Sequence, residues 1–279
     1  MRTSAIAAAR IQPVAAFPLY DFPQLRVDTD AFWRAIVQRL QDAGLREFPA
    51  RLTRSRDYSA GWRNSRLLLG QACGYPLMKR FRITARIVAT PVYTAPGCKG
   101  AWHRSVFIAH ARSRFATLSD LRGGICAVNG FDSNTGMNLL RAAIAPLAER
   151  KPFFRSIVIS GSHLASTKAV VDGRAELAAI DCVSFAHLQH FAPTLTKSVR
   201  PIGQSTLAPA PPFITASTTD DATLAILRRA LAEVVADPQL VSLRAALLIG
   251  SFEFVAEADY ELALRLERDA AAAGYPELC

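Results

Sequence analysis

The chain has 279 residues, 51% hydrophobic and 20% charged, with a net charge of +10 from 33 Lys+Arg against 23 Asp+Glu. That length can bury one large core or two medium ones, and no run approaches the ~18 uninterrupted apolar residues of a membrane span, so no membrane insertion is expected. The basic residues are mostly Arg and scattered rather than striped; the densest cluster, Arg46 to Arg66 with Tyr58 and Trp62, has no nucleic-acid module around it, so no nucleic-acid partner is expected.

Met1-Arg2 opens an Ala-rich stretch, but Arg10 interrupts it before Val14 to Tyr20 begins to look like a strand. That leaves no room for the ~7–15-residue apolar core of a secretory signal, and a cytoplasmic location is expected if this start is the true one. Ala15 to Tyr20 reads as the first strand, with a turn at Asp21-Phe22-Pro23. Thr29 and Asp30 read as caps of a helix that turns Phe32, Trp33, Ile36, Val37 and Leu40 to one face and stops at Gly44. Further strands are read at Arg66–Gln71, Ile83–Tyr93 (broken near Pro91) and Ser105–His110.

Asp120 to Gly124 leads into the strand Ile125–Val128, a polar turn and a helix from Met137 to Glu149. The strand Ile157–Ile159 repeats the pattern, with a turn at Gly161-Ser162-His163 and a helix through Val171 that Gly173 ends. A strand at Glu176–Asp181, a short helix over 184–191, an extended run Val199–Ser205 and a turn over 209–212 follow. The tail reads as three helices: one capped by Thr218 to Asp221, one started by Asp237-Pro238, and one over Tyr260–Ala272. Strands alternating with helices indicate an α/β protein with mostly parallel sheets. A helical end that returns to the first unit would give two lobes joined by two crossing strands.

The two strand-to-helix turns, Phe131-Asp132-Ser133-Asn134-Thr135-Gly136-Met137 and Ser160-Gly161-Ser162-His163, combine hydroxyls, free backbone N–H groups and one imidazole. A helix start carries unpaired N–H donors and partial positive charge, which suits an oxyanion. Ser, Asn and Thr are also ordinary helix caps, so the residues alone leave both readings open.

Five Cys without a C-x-x-C pair give neither a zinc site nor a complete disulfide framework, which fits a reducing compartment. Cys126 and Cys182 read as small buried hydrophobes, and His187 and His190 as solvated helix residues rather than metal ligands. Trp62 and Trp102 read as packing, with Trp102-His103 near the crossing strands. No G-x-S-x-G elbow or P-loop is present, so no cofactor and no catalysis is expected.

The ordered set Phe17-Pro18-Leu19-Tyr20-Asp21, Gln71 to Leu77, Ala89-Thr90-Pro91-Val92-Tyr93, Leu118 to Gly123, Asp132 to Gly136, Phe153 to Ser156 leading into Gly161-Ser162-His163, Ala179-Ile180-Asp181 and Pro211-Pro212-Phe213 resembles the phosphate/phosphite/phosphonate-binding components of ABC importers. The resemblance spans about Val14 to Leu278. It implies a two-lobed α/β fold of the type II periplasmic-binding-protein kind, with two hinge-crossing strands and a ligand cleft. Residues 1–107 plus 207–279 would form one lobe and 108–206 the other.

It implies binding of a small phosphorus oxyanion without catalysis, with an ABC permease as protein partner. Ser133, Asn134, Thr135 and His163 would donate to the ligand, Tyr20, Tyr75 and Tyr93 would line the cleft, and Asp181 would accept from a protonated ligand oxygen. The positions where aminophosphonate binders carry carboxylates hold apolar residues around Val183 and Ala210. This favours phosphite, phosphate or methylphosphonate over an aminophosphonate. The alternatives are an enzyme of the thiamine-precursor-synthesis kind, with Cys73 or His163 reactive, and a cytoplasmic ligand sensor.

Overall fold

The computed structural model describes residues 12–279 apart from Arg56. The Ala-rich opening, and the reading of it as lacking a leader, lie outside the described residues. In chain order the first strands are β1 (Val14–Ala16), β2 (Leu67–Gln71), β3 (Ala85–Tyr93), β4 (Trp102–His103) and β5 (Ser105–His110). Then come β6 (Ile125–Val128), β7 (Ser156–Ile159), β8 (Leu177–Asp181), β9 (Val199–Gln204), β10 (Ala208–Pro209), β11 (Phe213–Ala216) and β12 (Ile249–Glu253). The helices are α1 (Arg26–Asp42), the single turn α2 (Gly74–Pro76), α3 (Leu139–Ala148), α4 (His163–Val171), α5 (Cys182–Phe191) and α6 (Pro193–Lys197). The tail supplies α7 (Asp221–Ala236), α8 (Val241–Ala246), α9 (Glu257–Tyr260) and α10 (Leu262–Ala272).

Two five-stranded sheets carry the fold, ordered β1-β2-β11-β3-β12 and β7-β6-β8-β5-β9, and a two-stranded ribbon of β4 and β10 lies between them. The expectation of mostly parallel sheets needs correction. β1–β2, β6–β7 and β6–β8 are parallel, but β11 runs antiparallel between β2 and β3, and β5 runs antiparallel to both β8 and β9. Helical crossovers make parallel neighbours. The chain instead enters the second sheet directly through β4 and leaves through β10, so β5 and β9 lie antiparallel side by side. β3 is continuous through Pro91, pairing with β11 up to Ala89 and with β12 from Thr90 onward.

Helix α1 begins a turn earlier than its sequence caps suggest, and Thr29 Oγ1 instead donates to Leu25 O at 2.9 Å. Its face of Phe32, Trp33, Ile36 and Leu40 is buried with Leu224, Leu227, Leu231 and Val234 of α7. Spacings of three and four residues put each set on one helical stripe, and each fully buried large side chain contributes about 1.5–3 kcal/mol. Asp220 caps α7 by accepting from Thr223 N at 2.7 Å.

The end of the chain does not stay with the first sheet. Ala263, Ala270, Tyr275 and Leu278 share a core with Leu140, Ile144, Phe153 and Phe154 of the second unit. The Cys279 carbonyl accepts from Phe153 N at 2.8 Å and from Phe154 N at 2.9 Å. Apolar stripes show that a helix is half-buried but not which core buries it.

A cavity where three helix starts meet

β7, β6 and β8 are neighbouring parallel strands, so their C-terminal ends lie along one edge of the sheet. Each leads into a helical segment: β6 through the turn 129–133 into Asn134–Asn138 and α3, β7 through 160–162 into α4, and β8 directly into α5. Open α/β sheets bind ligands beyond this edge, where helix N-termini converge. Across from it, the loop after β1 and the residues after β2 complete a cavity of about 270 Å³. Its lining includes Tyr20, Tyr58, Cys73, His103, Asn129, Asp132, Ser133, Asn134, Thr135, Ser162, His163, Asp181 and Ser184.

Ser133 is the N-cap of its helix, and its hydroxyl accepts from Gly136 N at 2.9 Å. Asn134 Oδ1 accepts from Asn138 Nδ2 at 3.1 Å, and its backbone N–H donates to Cys73 Sγ at 3.4 Å. Thr135 Oγ1 lies 3.3 Å from His163 Nε2, which joins the two turns. Burial holds His163 below the usual histidine range, against opposing contributions from Asp181 and the Ala179 backbone, so the ring is neutral near pH 7. A neutral imidazole offers one donor and one acceptor.

Asp181 and His103 form a buried pair, each side chain under 5% exposed, with His103 Nδ1 2.8 Å from Asp181 Oδ2. Desolvation opposes both charges. The attraction outweighs it, raising His103 and lowering Asp181. Asp181 also caps α5 through Ser184 N at 2.9 Å and accepts from Tyr20 OH at 3.2 Å. Tyr20 has a φ of +61°, unusual for a bulky residue, and desolvation beside Asp181 pushes its phenol well up. The phenol reaches across to Asp181 from the loop after β1.

Two more contacts bridge the cavity: the Tyr58 hydroxyl donates to Asp132, and Asn134 N donates to Cys73. Asp21, also in the lining, is held by Arg54 at 3.0 Å and Arg26 at 3.6 Å. Among the described residues no Arg or Lys side chain is in the lining, so the donors they turn to the cavity are hydroxyls, amides, imidazoles and helix starts.

Six of the eight residues singled out from sequence line this cavity: Tyr20, Ser133, Asn134, Thr135, His163 and Asp181. Tyr75 and Tyr93 do not. Tyr75 is packed in the core shared with α10 and accepts from Lys79 Nζ at 3.0 Å. Tyr93 stands one layer behind, its ring 5.3 Å from that of Tyr20 and its hydroxyl 2.6 Å from Gln71 Nε2. A Tyr in the right segment does not reveal which way its strand or turn points it. His187 is buried against Tyr20 and Phe22 rather than solvated, because α5 turns that face inward.

Asn129 and Tyr58 carry no motif of their own; Asp132 opens the 132–136 segment without being singled out as a site residue, and His103 is signalled only by its place beside the crossing strand. Cys73, the candidate nucleophile of an enzyme reading, has its thiol pushed up to about 11 by burial, which leaves it protonated near pH 7. Among the described residues no cluster suited to a metal ion is present, and no helix is long and apolar enough to cross a membrane.

A sequence model of the phosphonate ABC-transporter periplasmic substrate-binding proteins matches residues 26–260. The chain belongs to this family. Solved structures with the same fold include a phosphonate-transporter binding component from Pseudomonas aeruginosa, with 17% identity and a TM-score of 0.76, covering 94% of this chain and 88% of that one. Another is PhnD1 from Prochlorococcus marinus in complex with methylphosphonate, with 13% identity and a TM-score of 0.73, covering 93% and 98%. XAC2383 from Xanthomonas citri, solved bound to ATP, has 16% identity and a TM-score of 0.69, covering 94% and 97%. No curated protein sequence matches the chain. Membership makes this a two-lobed substrate-binding protein of the ABC-transporter class, with a small ligand as its partner.

Proposed function

We propose that the chain binds a small phosphorus oxyanion in the cavity between its sheets, without chemistry, and presents it to an ABC-type permease. The supporting observation is the convergence of Thr135, His163 and two helix starts opposite the His103–Asp181 pair. Neutral donors and helix termini stabilise the anion, while Asp181 accepts a proton-bearing ligand oxygen. A fully deprotonated tetrahedral anion has no such proton to offer, and the carboxylate repels it.

The ligand classes we favour are phosphite, phosphate and methylphosphonate. Val183 and Ala210 are buried away from the lining, and the carboxylates that do line the cavity are already engaged, Asp132 by Tyr58 and Asp21 by Arg54. The third lining carboxylate, Asp181, is paired with His103, so a ligand ammonium would share or compete for carboxylates that already have partners. We also propose lobes that follow the sheets, residues 12 to about 104 with about 207–259, and about 105–206 with the α10 tail. Strand β5 supports a first boundary before Ser105 rather than at 107/108, and the shared core supports moving the tail from its expected lobe.

A thermal-shift panel of phosphite, phosphate, methylphosphonate, 2-aminoethylphosphonate and sulfate tests the reading. A ligand at ~1,000 times its dissociation constant adds about 4 kcal/mol of stability. The expected result is a shift of several degrees with at least one of the first three and none with sulfate. Sulfate binding as well as they do, or no shift with any phosphorus oxyanion, overturns it.

A further inference from the structure

All five cysteines are free thiols, yet two of them face each other. Cys98 Sγ and Cys182 Sγ are 3.5 Å apart, although 84 positions separate them in the chain. Cys98 closes the turn before the crossing ribbon, with its N–H on Ala95 O at 3.1 Å, and Cys182 is the first residue of α5, next to Asp181. The approach has its own structural provision. Gly97 has a φ of +97°, strained for any other residue, and a Cβ there would lie 3.1 Å from Cys182 Cβ, so the turn and α5 would have to part by a few tenths of an ångström. A disulfide needs sulfurs at ~2.05 Å, a closing of about 1.5 Å from the distance in this structure.

We propose that Cys98 and Cys182 are a reversible redox pair, whose disulfide ties the turn ahead of the crossing strand to the helix start that carries Asp181. The oxidant class is a disulfide, acting by thiol–disulfide exchange. Cys98, partly exposed, attacks first: its thiolate bonds to one oxidant sulfur and expels the other as a thiolate. The Cys182 thiol, only 1% exposed, then gives its proton to solvent, and its sulfur attacks Cys98 Sγ and expels the second oxidant thiolate. The two cysteines together lose two protons and two electrons, and the oxidant is reduced to two thiols. In the reduced protein the hydrogen bond with Cys98, burial and neighbouring Asp181 all raise the Cys182 thiol. The crosslink joins the bodies built on the two sheets beside the cavity. On the ligand reading above it also slows ligand entry and release, while its formation does not depend on that reading.

Trypsin isolates the two cysteines, since residues 87–99 contain only Cys98 and residues 175–197 only Cys182. The full chain is treated with oxidised glutathione, alkylated, digested and mapped by mass. The expected product is 87–99 joined to 175–197, about 2 Da below the sum of the reduced peptides and released by dithiothreitol. The oxidised protein should melt roughly 5–10 °C higher, since the bond closes a long loop of the unfolded chain. Separate alkylation of both cysteines, a persistent glutathione adduct on Cys98, or a crosslink of either to Cys73 or Cys279 overturns the proposal. The unsubstituted protein decides the result alone. Cys98→Ser, melting like the reduced protein but not shifting with oxidant, would attribute the shift to this bond.

Discussion

At single residues, the cavity depends on groups whose charge state is fixed by what surrounds them. On the proposed function, His163→Ala and Thr135→Ala each remove a donor near the oxyanion, and each should weaken binding by about 1–3 kcal/mol in calorimetry. Unchanged affinity in both would show that the ligand sits elsewhere. His187 makes a separate prediction about folding. Burial pushes it down to about 4, against ~6.5 in the unfolded chain, so between those values the unfolded state holds the extra proton. Its contribution is complete above about pH 6.5 and falls by up to about 3 kcal/mol as pH drops toward 4. The other pair bounds this differently. His103, raised, stabilises below its unfolded value and loses that as pH rises through its folded one; Asp181, lowered, stabilises above its unfolded value and loses that as pH falls through its folded one. Urea unfolding from pH 7.5 to 4.5 should show the His187 loss, and His187→Gln should flatten it. A variant with the parent's slope would assign the acid sensitivity to other groups.

At the level of elements, strand-to-helix turns were the most legible part of the sequence, because Ser133, Ser162 and Asp220 are side-chain caps whose chemistry is local. The strands β11 and β12 were not legible. Phe213–Ala216 sits directly after the prolines read as a turn, and Ile249–Glu253 alternates weakly at a sheet edge whose partner, β3, lies far away in sequence. The same split holds in the cavity: Thr135 and His163 belong to local turns, whereas the pairing of His103 with Asp181 needs two strands to meet. Gly136 tests how tightly one such turn is built. A Cβ there would lie 1.7 Å from Asn129 Oδ1, so Gly136→Ala must expel Asn129 and should cost about 1–3 kcal/mol. Asn129→Ala removes the nearest obstruction, leaving Ser133 Oγ at 3.0 Å, so the double variant should be more stable than the two single losses summed. Strictly additive losses in urea unfolding would mean that the helix start relaxes around the methyl group.

For the whole molecule, the question is what α10 holds together. Glu267 lies between Lys79, in the turn after α2, at 2.6 Å, and Arg141 of α3 at 3.8 Å, so one helix touches both bodies. The Lys79 pair is exposed and contributes little, and buried Arg141 stands 3.8 Å off, so the helix is fixed mainly by its buried end. Tyr275 is 1% exposed and Leu278 4%, and the terminal carbonyl is the shared acceptor for the Phe153 and Phe154 amides. Removing residues 275–279 should therefore strip two large buried side chains, at about 3–6 kcal/mol together, and orphan two buried N–H groups at about 1–3 kcal/mol each. The damage should be local to the second sheet. Hydrogen exchange should rise at Phe153 and Phe154 and along β6 and β7, while β2 and β11, whose core is Trp62, Leu67 and Ile214, keep their protection. If protection fell equally in both sheets, the two bodies would unfold as one unit and α10 would be part of a continuous core. If neither changed, the tail would contribute nothing to the second body. Only the localised loss fits a helix that leaves the first sheet at β12 and finishes as part of the wall behind the cavity.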